Sequence, residues 1–247
     1  MSGHSKWATI RHKKGAADAK RGKLFTKLIK EITVAARLGG GDESANASLR
    51  AAVLKARAAN MPKDNIDRAI KKGTGDLEGS DYQEMTYEGY GTGGVAIMVD
   101  SLTDNRNRTA ADVRSIFGKH GGNLGETGCV SYLFNRKGIL AYDAEKNSED
   151  EIIEAALEAG AADVTSDGGI IEVVCEPDDF EAVLNAMQEA GFEHESAEIL
   201  KVPEARVALD EDGTRKALRL IEALEDHDDV QEVSSNIEIP DDFEMDE

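Results

Sequence analysis

The first strong pattern of apolar and polar positions lies between residues 18 and 38, and it predicts a helix. Apolar residues recur there at the i, i+4 and i+8 spacing of one helix face, and they are Leu24, Phe25, Leu28, Ile29 and Ile32. Four lysines follow an i, i+3, i+7, i+10 spacing, and they are Lys20, Lys23, Lys27 and Lys30. This lysine stripe lies roughly 150° around the helix from the apolar residues. The pattern therefore predicts a packing face and a cationic face on opposite sides of one helix.

Two shorter helices follow the triple glycine that begins at Gly39. The apolar spacing predicts one over Ser44–Ala59 and a second from Pro62 to Lys72, with a short turn between them. Proline suits the first turn of a helix, and Gly73 is a typical stop signal. The three helices together predict a small bundle.

Strand patterns begin after residue 81. Met85–Tyr90 and Val95–Leu102 are predicted to pair as a hairpin, followed by a helix over Arg106–His120 and a strand at Val130–Phe134. The hairpin loop contains a G-x-G-x-x-G match at residues 89–94. A dinucleotide site needs a helix directly after that motif, whereas a strand follows here, so the match is interpreted as a hairpin loop.

Residues 135–203 alternate regularly between strand and helix patterns. The predicted elements are strands at Gly138–Tyr142, Asp163–Ser166, Ile170–Cys175 and Glu195–Val202, and helices at Glu149–Ala159 and Asp178–Ala190. Their order, βαββαβ, is that of the ferredoxin-like fold.

The last part of the chain supplies a strand at Arg206–Leu209, a helix at Thr214–Asp226 and a strand at Val230–Ile237. These elements complete a second α/β unit if they pair with the strands before residue 135. We therefore expect an α+β protein of three domains. They are a helical domain over 1–80, a discontinuous α/β domain over 81–134 and 204–247, and a ferredoxin-like α/β domain over 135–203 inserted into it.

Charge is divided unevenly along the chain, whose formal net charge is −20. Residues 1–75 carry 17 Lys and Arg against six Asp and Glu, a formal charge of +11, and the remainder carries −31. At physiological salt the Debye length is about 8 Å, so distant acidic groups hardly weaken the field of the basic part. A sign difference of this size indicates a cationic module with a polyanionic partner.

The candidate nucleic-acid contacts combine a basic arm over the first 15 or so residues with the first helix. They are Lys6, Trp7, Arg11, Lys13, Lys14, Lys20, Arg21, Lys23, Lys27 and Lys30. Neutralised phosphates release counterions, which makes such a surface bind any nucleic acid. The alternative for the stripe is a solvated helix face, and Trp7 is expected either to stack on a base or to anchor the arm to the bundle.

Two further cations, Arg106 and Arg108, lie in the first turn of a predicted helix, where they oppose its dipole. An arriving anion would relieve that repulsion. Local neutralisation by Asp100 and Asp104 is the alternative, and the sequence leaves both open.

The second and third helices with their short turn also resemble a helix-turn-helix. Asn65 and Arg68 are then candidate base contacts, although a solvated face explains both residues equally well.

Catalytic and metal sites are not expected. The five histidines lack helical pairing, and Cys129 and Cys175 have no partner at ligand spacing. No nucleophile–base or paired-carboxylate arrangement is recognisable, so we expect neither an enzyme nor a cofactor nor a small-molecule substrate. The chain has no apolar run of about 18 residues and no apolar stretch typical of a secretory signal at its start. We expect a reduced cytoplasmic protein with no membrane partner.

Several motifs carry a family resemblance that extends nearly from end to end. Residues 3–7 (Gly-His-Ser-Lys-Trp), 87–91 (Tyr-Glu-Gly-Tyr-Gly), 104–109, 121–125 and 228–231 resemble those of the YebC/PmpR family. That family includes the mitochondrial translational activator of cytochrome c oxidase. Thr92 stands where the family pattern has proline, a small departure within a loop.

The resemblance implies a helical N-terminal domain and two α/β domains in a non-enzymatic bacterial cytoplasmic protein. It also implies DNA binding and transcriptional regulation, whereas the mitochondrial relatives point to translation. We therefore expect a DNA-binding transcriptional regulator that acts through its basic N-terminal domain. The alternative is a translation factor or translational activator associated with the ribosome, ribosomal RNA or messenger RNA.

Overall fold

The computed structural model describes residues 17–79, 81–167, 169–240 and 243, with side chains from residue 21 onward. The predicted basic arm, with Lys6, Trp7, Arg11, Lys13 and Lys14, lies outside these residues, and so does the side chain of Lys20. The described chain contains seven α-helices and two four-stranded sheets, so the fold is α+β, as predicted.

Three helices form the N-terminal bundle: α1 (Ala17–Gly39), α2 (Ala47–Ala58) and α3 (Lys63–Thr74). All three were predicted, with bounds that differ by a few residues. Their apolar faces meet in one buried cluster, which includes Leu28, Ile32, Leu49, Val53, Met61 and Ile66.

Two residues determine how these helices meet. Buried Asn46 donates its amide protons to the carbonyl oxygens of Ala35 and Gly40, and its Oδ1 accepts the backbone N–H of Leu49. It is the N-cap of α2, which explains why α2 begins after the predicted Ser44. At Gly73, an added Cβ would overlap the backbone and side chains of α1, so α1 and α3 approach closely only because a glycine stands there.

The first sheet has the strand order β3-β1-β2-β9. β1 (Gln83–Tyr90) and β2 (Ala96–Thr103) form the predicted hairpin around the loop at residues 91–95. β3 (Asn123–Leu124) pairs with β1, and β9 (Val230–Ser235) pairs with β2.

Two helices cover one face of the first sheet, and they are α4 (Arg106–Lys119) and α7 (Glu211–Glu225). Their core includes Val99, Phe117, Leu220, Leu224 and Val233. Two short strands, β8 (Val207–Ala208) and β10 (Ile237–Glu238), pair in parallel beside it.

The second sheet has the antiparallel order β5-β6-β4-β7 and the predicted βαββαβ sequence of elements. Its strands are β4 (Phe134–Asp143), β5 (Asp163–Asp167), β6 (Ile170–Cys175) and β7 (Ser196–Pro203), and its helices are α5 (Glu149–Glu158) and α6 (Phe180–Glu189). Strand order and connectivity are those of a ferredoxin-like fold.

The predicted strand at Val130–Phe134 is wrong, because residues 131–133 form a 3₁₀ turn and β4 begins only at Phe134. The cause is Glu88, a buried β1 residue whose carboxylate accepts the backbone N–H groups of Gly128, Val130 and Ser131. Burial raises the pKa of this carboxyl, but those three hydrogen bonds outweigh burial and leave the pKa below its usual range. Residues 128–133 therefore turn around the Glu88 carboxylate instead of forming an extended strand.

Strands of the first sheet come from both sides of residues 135–203, since β1–β3 precede that segment and β9 follows it. If residues 135–203 are inserted into one α/β unit, strands from before and after that segment must pair in one sheet, as they do here. The division into a helical domain (1–80), a discontinuous α/β domain (81–134 and 204–247) and an inserted α/β domain (135–203) remains our proposal.

Candidate nucleic-acid interface

Two lysines of the predicted stripe contact the C-terminal end of α7. Lys23 Nζ donates to the backbone carbonyl of Asp226 at 3.0 Å, and Lys27 Nζ donates to that of Glu225 at 2.6 Å. The last carbonyls of a helix lack intrahelical partners and carry partial negative charge. The last turn of α7 contains no basic residue of its own. The cations that complement this helix end therefore come from α1.

Lys30, one turn further along α1, is buried rather than exposed. Only 6% of the residue is accessible, and its Nζ lies 2.6 Å from Asp229 Oδ1 and 2.9 Å from the carbonyl oxygen of Asp228. The same ammonium lies 5.5 Å from the ring centroid of Tyr82, within cation–π range. The prediction that Lys30 belongs to an exposed cationic face is therefore wrong, because a buried carboxylate binds its charge.

The Asp229 carboxylate accepts hydrogen bonds from side chains of three elements, α1, β2 and α4. Besides Lys30, its carboxylate accepts from Arg108 at 2.8 Å, from Thr109 Oγ1 at 2.7 Å and from Thr103 Oγ1 at 3.3 Å. Burial raises the pKa of Asp229, but the hydrogen bonds from Lys30, Arg108 and Thr109 outweigh it and hold the pKa far below the usual value. Asp229 is therefore a buried anion that joins α1 to α4 and β2.

Arg108 is neutralised partly by a neighbour that the sequence predicts, Asp104, and partly by the distant Asp229. It contacts Asp229 and, at 3.0 Å, Asp104. The predicted partner Asp100 instead pairs with Lys201 and accepts a hydrogen bond from Thr86. Arg106 and Arg108 are both exposed at the start of α4, and of the two only Arg108 has an ion pair within the described residues.

We call Lys23, Lys27, Lys30, Arg108 and Asp229 the docking cluster. It joins the N-terminal bundle to the domain of the first sheet. The apolar cores of these two units contain no residue in common. The contacts that the docking cluster makes across this joint are hydrogen bonds and ion pairs.

The bundle also makes charged contacts with the elements of the second sheet. Arg50 of α2 pairs with Glu181 of α6 at 2.9 Å. Lys55 pairs with Glu31 at 3.5 Å and lies in the field of Glu198. Cations of the basic bundle thus face carboxylates and carbonyls of the acidic remainder.

Exposed cations lie on all three helices of the bundle. On α3, Lys63, Arg68 and Lys71 are exposed and have no ion pair with any residue that the structure describes. Asn65, the other candidate base contact, is half-buried on the same helix. Arg21 on α1 is also exposed.

Two clefts of about 560 Å³ each flank the docking cluster. The first contains Tyr82, Asp112 and His227 beside Lys23 and Lys30. His227 Nδ1 accepts the backbone N–H of Asp229 at 3.1 Å, so its Nε2 carries the proton that faces Asp112 at 3.3 Å. These groups satisfy one another and form no nucleophile–base pair.

The second cleft lies between α1 and both sheets. Apolar side chains line it together with six carboxylates, those of Glu31, Glu84, Asp100, Glu198, Glu225 and Glu232. Lys27 and Lys55 are the basic residues in its wall. The cleft is therefore anionic, unlike a nucleic-acid groove.

Among the residues that the structure describes, no group of three or more His, Cys, Asp and Glu side chains is arranged to hold a metal ion. None of the helices within residues 17–240 is long and apolar enough to cross a membrane.

Sequence reasoning missed Asp229 as a central residue, although the Asp228–Gln231 motif carried part of the family resemblance. A signal was present, because an aspartate directly before the apolar start of a strand is expected to lie near the sheet. Its cationic partners are 199 and 121 residues away along the chain, and local periodicity cannot pair residues at that separation.

Comparisons with known proteins agree over nearly the whole chain. The model of the TACO1/YebC N-terminal domain matches residues 5–76, and that of the TACO1/YebC second and third domains matches residues 82–237. A solved structure with the same fold is a conserved hypothetical protein from Aquifex aeolicus, at a TM-score of 0.83 and 50% identity. The alignment covers 91% of this chain and 93% of that one.

Curated relatives are similar over their full lengths. A probable transcriptional regulatory protein of Treponema denticola is 66% identical over 247 residues, covering 100% of both chains. One from Treponema pallidum strain Nichols is 61% identical, covering 97% of this chain and 98% of the relative. This chain belongs to the TACO1/YebC family.

Proposed function

We propose that this protein is a nucleic-acid-binding regulator of transcription that binds DNA through its basic N-terminal domain. The observation that carries the proposal is the division of charge, +11 in residues 1–75 against −31 in the rest. The names of the relatives from Treponema, probable transcriptional regulatory proteins, support the regulatory role.

The exposed face of α3 is the described surface best suited to a phosphate backbone. Lys63, Arg68 and Lys71 are accessible there, and α3 follows α2 after four residues, as in a helix-turn-helix. The arm residues Lys6, Arg11, Lys13 and Lys14, which precede α1 in the sequence, are further candidate phosphate contacts, with Trp7 as a candidate stacking group.

Fluorescence anisotropy with a short mixed-sequence DNA duplex, repeated over a series of salt concentrations, tests this proposal. Replacing Lys63, Arg68 and Lys71 together by Gln is expected to weaken binding at least about tenfold. The slope of log affinity against log salt should fall by about 0.9 for each lost phosphate contact.

A matched control removes three exposed cations from the acidic domains, through Lys119→Gln, Arg206→Gln and Arg219→Gln. This control has the same net charge as the α3 variant, and its affinity is expected to stay within about twofold of that of the unchanged protein. Equal losses in both variants would mean that net charge alone drives binding and would refute a specific role for α3. Tight binding of a ribosomal RNA fragment without binding of the duplex would instead favour the translational alternative.

A further inference from the structure

The docking cluster occupies cations that the sequence assigns to nucleic-acid binding. Lys23, Lys27 and Lys30 were predicted to contact phosphates, yet each donates to an oxygen of the acidic remainder. Those acceptors, helix-terminal carbonyls and a carboxylate, offer the same chemistry as phosphate oxygens: partial or full negative charge and free lone pairs.

We propose that the docking cluster is an autoinhibitory latch, in which the end of α7 and Asp229 compete with nucleic acid for the lysines of α1. The proposal rests on the proposed function, because it concerns regulation of the same basic module. When the latch opens, α1 presents Lys23, Lys27 and Lys30 to a phosphate backbone. When it is closed, Lys30 is buried and the ammonium groups of Lys23 and Lys27 donate to carbonyl oxygens at the end of α7.

The contacts suit a joint that opens without unfolding either unit. The apolar cores on its two sides are separate, so opening the joint leaves both cores intact. Clefts lie on both sides of α1, with Lys23 and Lys30 in the wall of one and Lys27 in the wall of the other. Solvent can therefore reach Lys23 from one side of α1 and Lys27 from the other.

The latch also has graded strength along α1. Lys23 is about half exposed, and Asp226 next to it is largely exposed, so salt screens this pair easily. Lys30 and Asp229 are nearly fully buried and are screened much less. A polyanion would therefore displace Lys23 and Lys27 first and Lys30 last.

A charge reversal at the surface weakens the latch while leaving the buried carboxylate in place. Asp226→Lys with Asp228→Lys puts two cations beside Lys23 and Lys30, and both positions are exposed. The matched control, Glu149→Lys with Asp150→Lys, makes the same change of net charge at the exposed start of α5. Any difference in DNA affinity between the two variants then reflects where the new charges lie rather than the total charge.

The distance between two spin labels, one on each side of the joint, reports directly whether the joint opens. Spin labels at Leu38→Cys and Lys119→Cys report the separation of the bundle from the first-sheet domain, and both positions are exposed. Cys129→Ser removes the half-buried native thiol, and Cys175 is buried. For the parent and control proteins we expect a distance distribution dominated by one narrow component. For the latch variant we expect a longer component to become the larger one. Saturating duplex DNA should enlarge that longer component in the parent protein.

Anisotropy with the same duplex supplies the functional half of the test. If the open form is about a tenth of the population, opening the latch raises the apparent affinity about tenfold above that of the control.

A variant that opens but binds no tighter than the control would overturn autoinhibition. Unchanged distances in the latch variant, or in the parent with DNA, would overturn the latch itself. If none of the proteins binds duplex or RNA, the proposed function fails and autoinhibition fails with it, while the distances still decide whether the joint opens.

Discussion

At the scale of single residues, Lys30 illustrates how far a side chain's type and position predict its role. Helical spacing correctly places it on the face away from the apolar cluster, and its charge correctly predicts an anionic partner. The partner is a buried carboxylate of the same chain, Asp229, rather than a phosphate. Burying such a pair is tolerated because Arg108 and two threonines complete the hydrogen bonds of the carboxylate.

Replacing Asp229 by Asn is expected to lower the free energy of unfolding at pH 7 by about 3 kcal/mol, because it leaves Lys30 buried without a counter-charge. The pKa of Asp229 is lowered in the folded state, so its stabilising contribution is fully present above the unfolded pKa of about 3.9. That contribution is lost as pH falls towards the folded pKa. Urea denaturation at a series of pH values should therefore show the difference between the two proteins shrinking below about pH 4.

The exposed neighbour Asp228 provides the control for this measurement. Asp228→Asn should change stability by less than about 0.5 kcal/mol. A constant difference between the Asp229→Asn variant and the parent from pH 7 to pH 3 would contradict the assignment of a lowered pKa to Asp229.

At the scale of elements, α1 packs on two sides. Its apolar side joins the bundle core, and its lysine side joins the end of α7. Apolar periodicity detects only the first kind of packing, since the second involves cations and carbonyls and looks from sequence like a solvated face. The α1–α3 contact depends in addition on Gly73, where there is no room for a side chain.

Two glycine-to-alanine substitutions should therefore have opposite effects on stability. Gly73→Ala is expected to destabilise by about 1–3 kcal/mol, because the methyl group overlaps α1. Gly118→Ala, near the end of α4 with no atom within 4 Å of the added Cβ, is expected to stabilise by about 0.4–1 kcal/mol through reduced chain entropy of the unfolded state. Thermal or urea denaturation of both variants measures the two effects, and a stabilising Gly73→Ala would contradict the close helix approach.

At the scale of the whole molecule, part of the charge division is met by contacts within the chain. The basic bundle contacts the acidic remainder through the docking cluster and the Arg50–Glu181 pair. The uneven charge distribution thus serves intramolecular docking, and we propose that it also serves the capture of an external polyanion. Sequence alone cannot separate these two roles.

Small-angle X-ray scattering is expected to detect this electrostatic joint. In about 1 M salt the Debye length is about 3 Å, so the exposed ion pairs weaken and the radius of gyration should rise. The circular dichroism of the helices should stay unchanged, because the apolar cores on the two sides are separate. A radius of gyration that does not respond to salt would mean that buried contacts such as Lys30–Asp229 alone hold the units together.

The sequence by itself determined the helices and most strands, the βαββαβ order and the separation of charge, because each depends on neighbouring residues or on simple counts. It did not reveal the turn at residues 131–133, which the buried carboxylate of Glu88 organises from β1. Only the tertiary structure decided which anions the lysines of α1 contact. Those partners lie about 200 residues further along the chain, and only folding brings charges at that separation together.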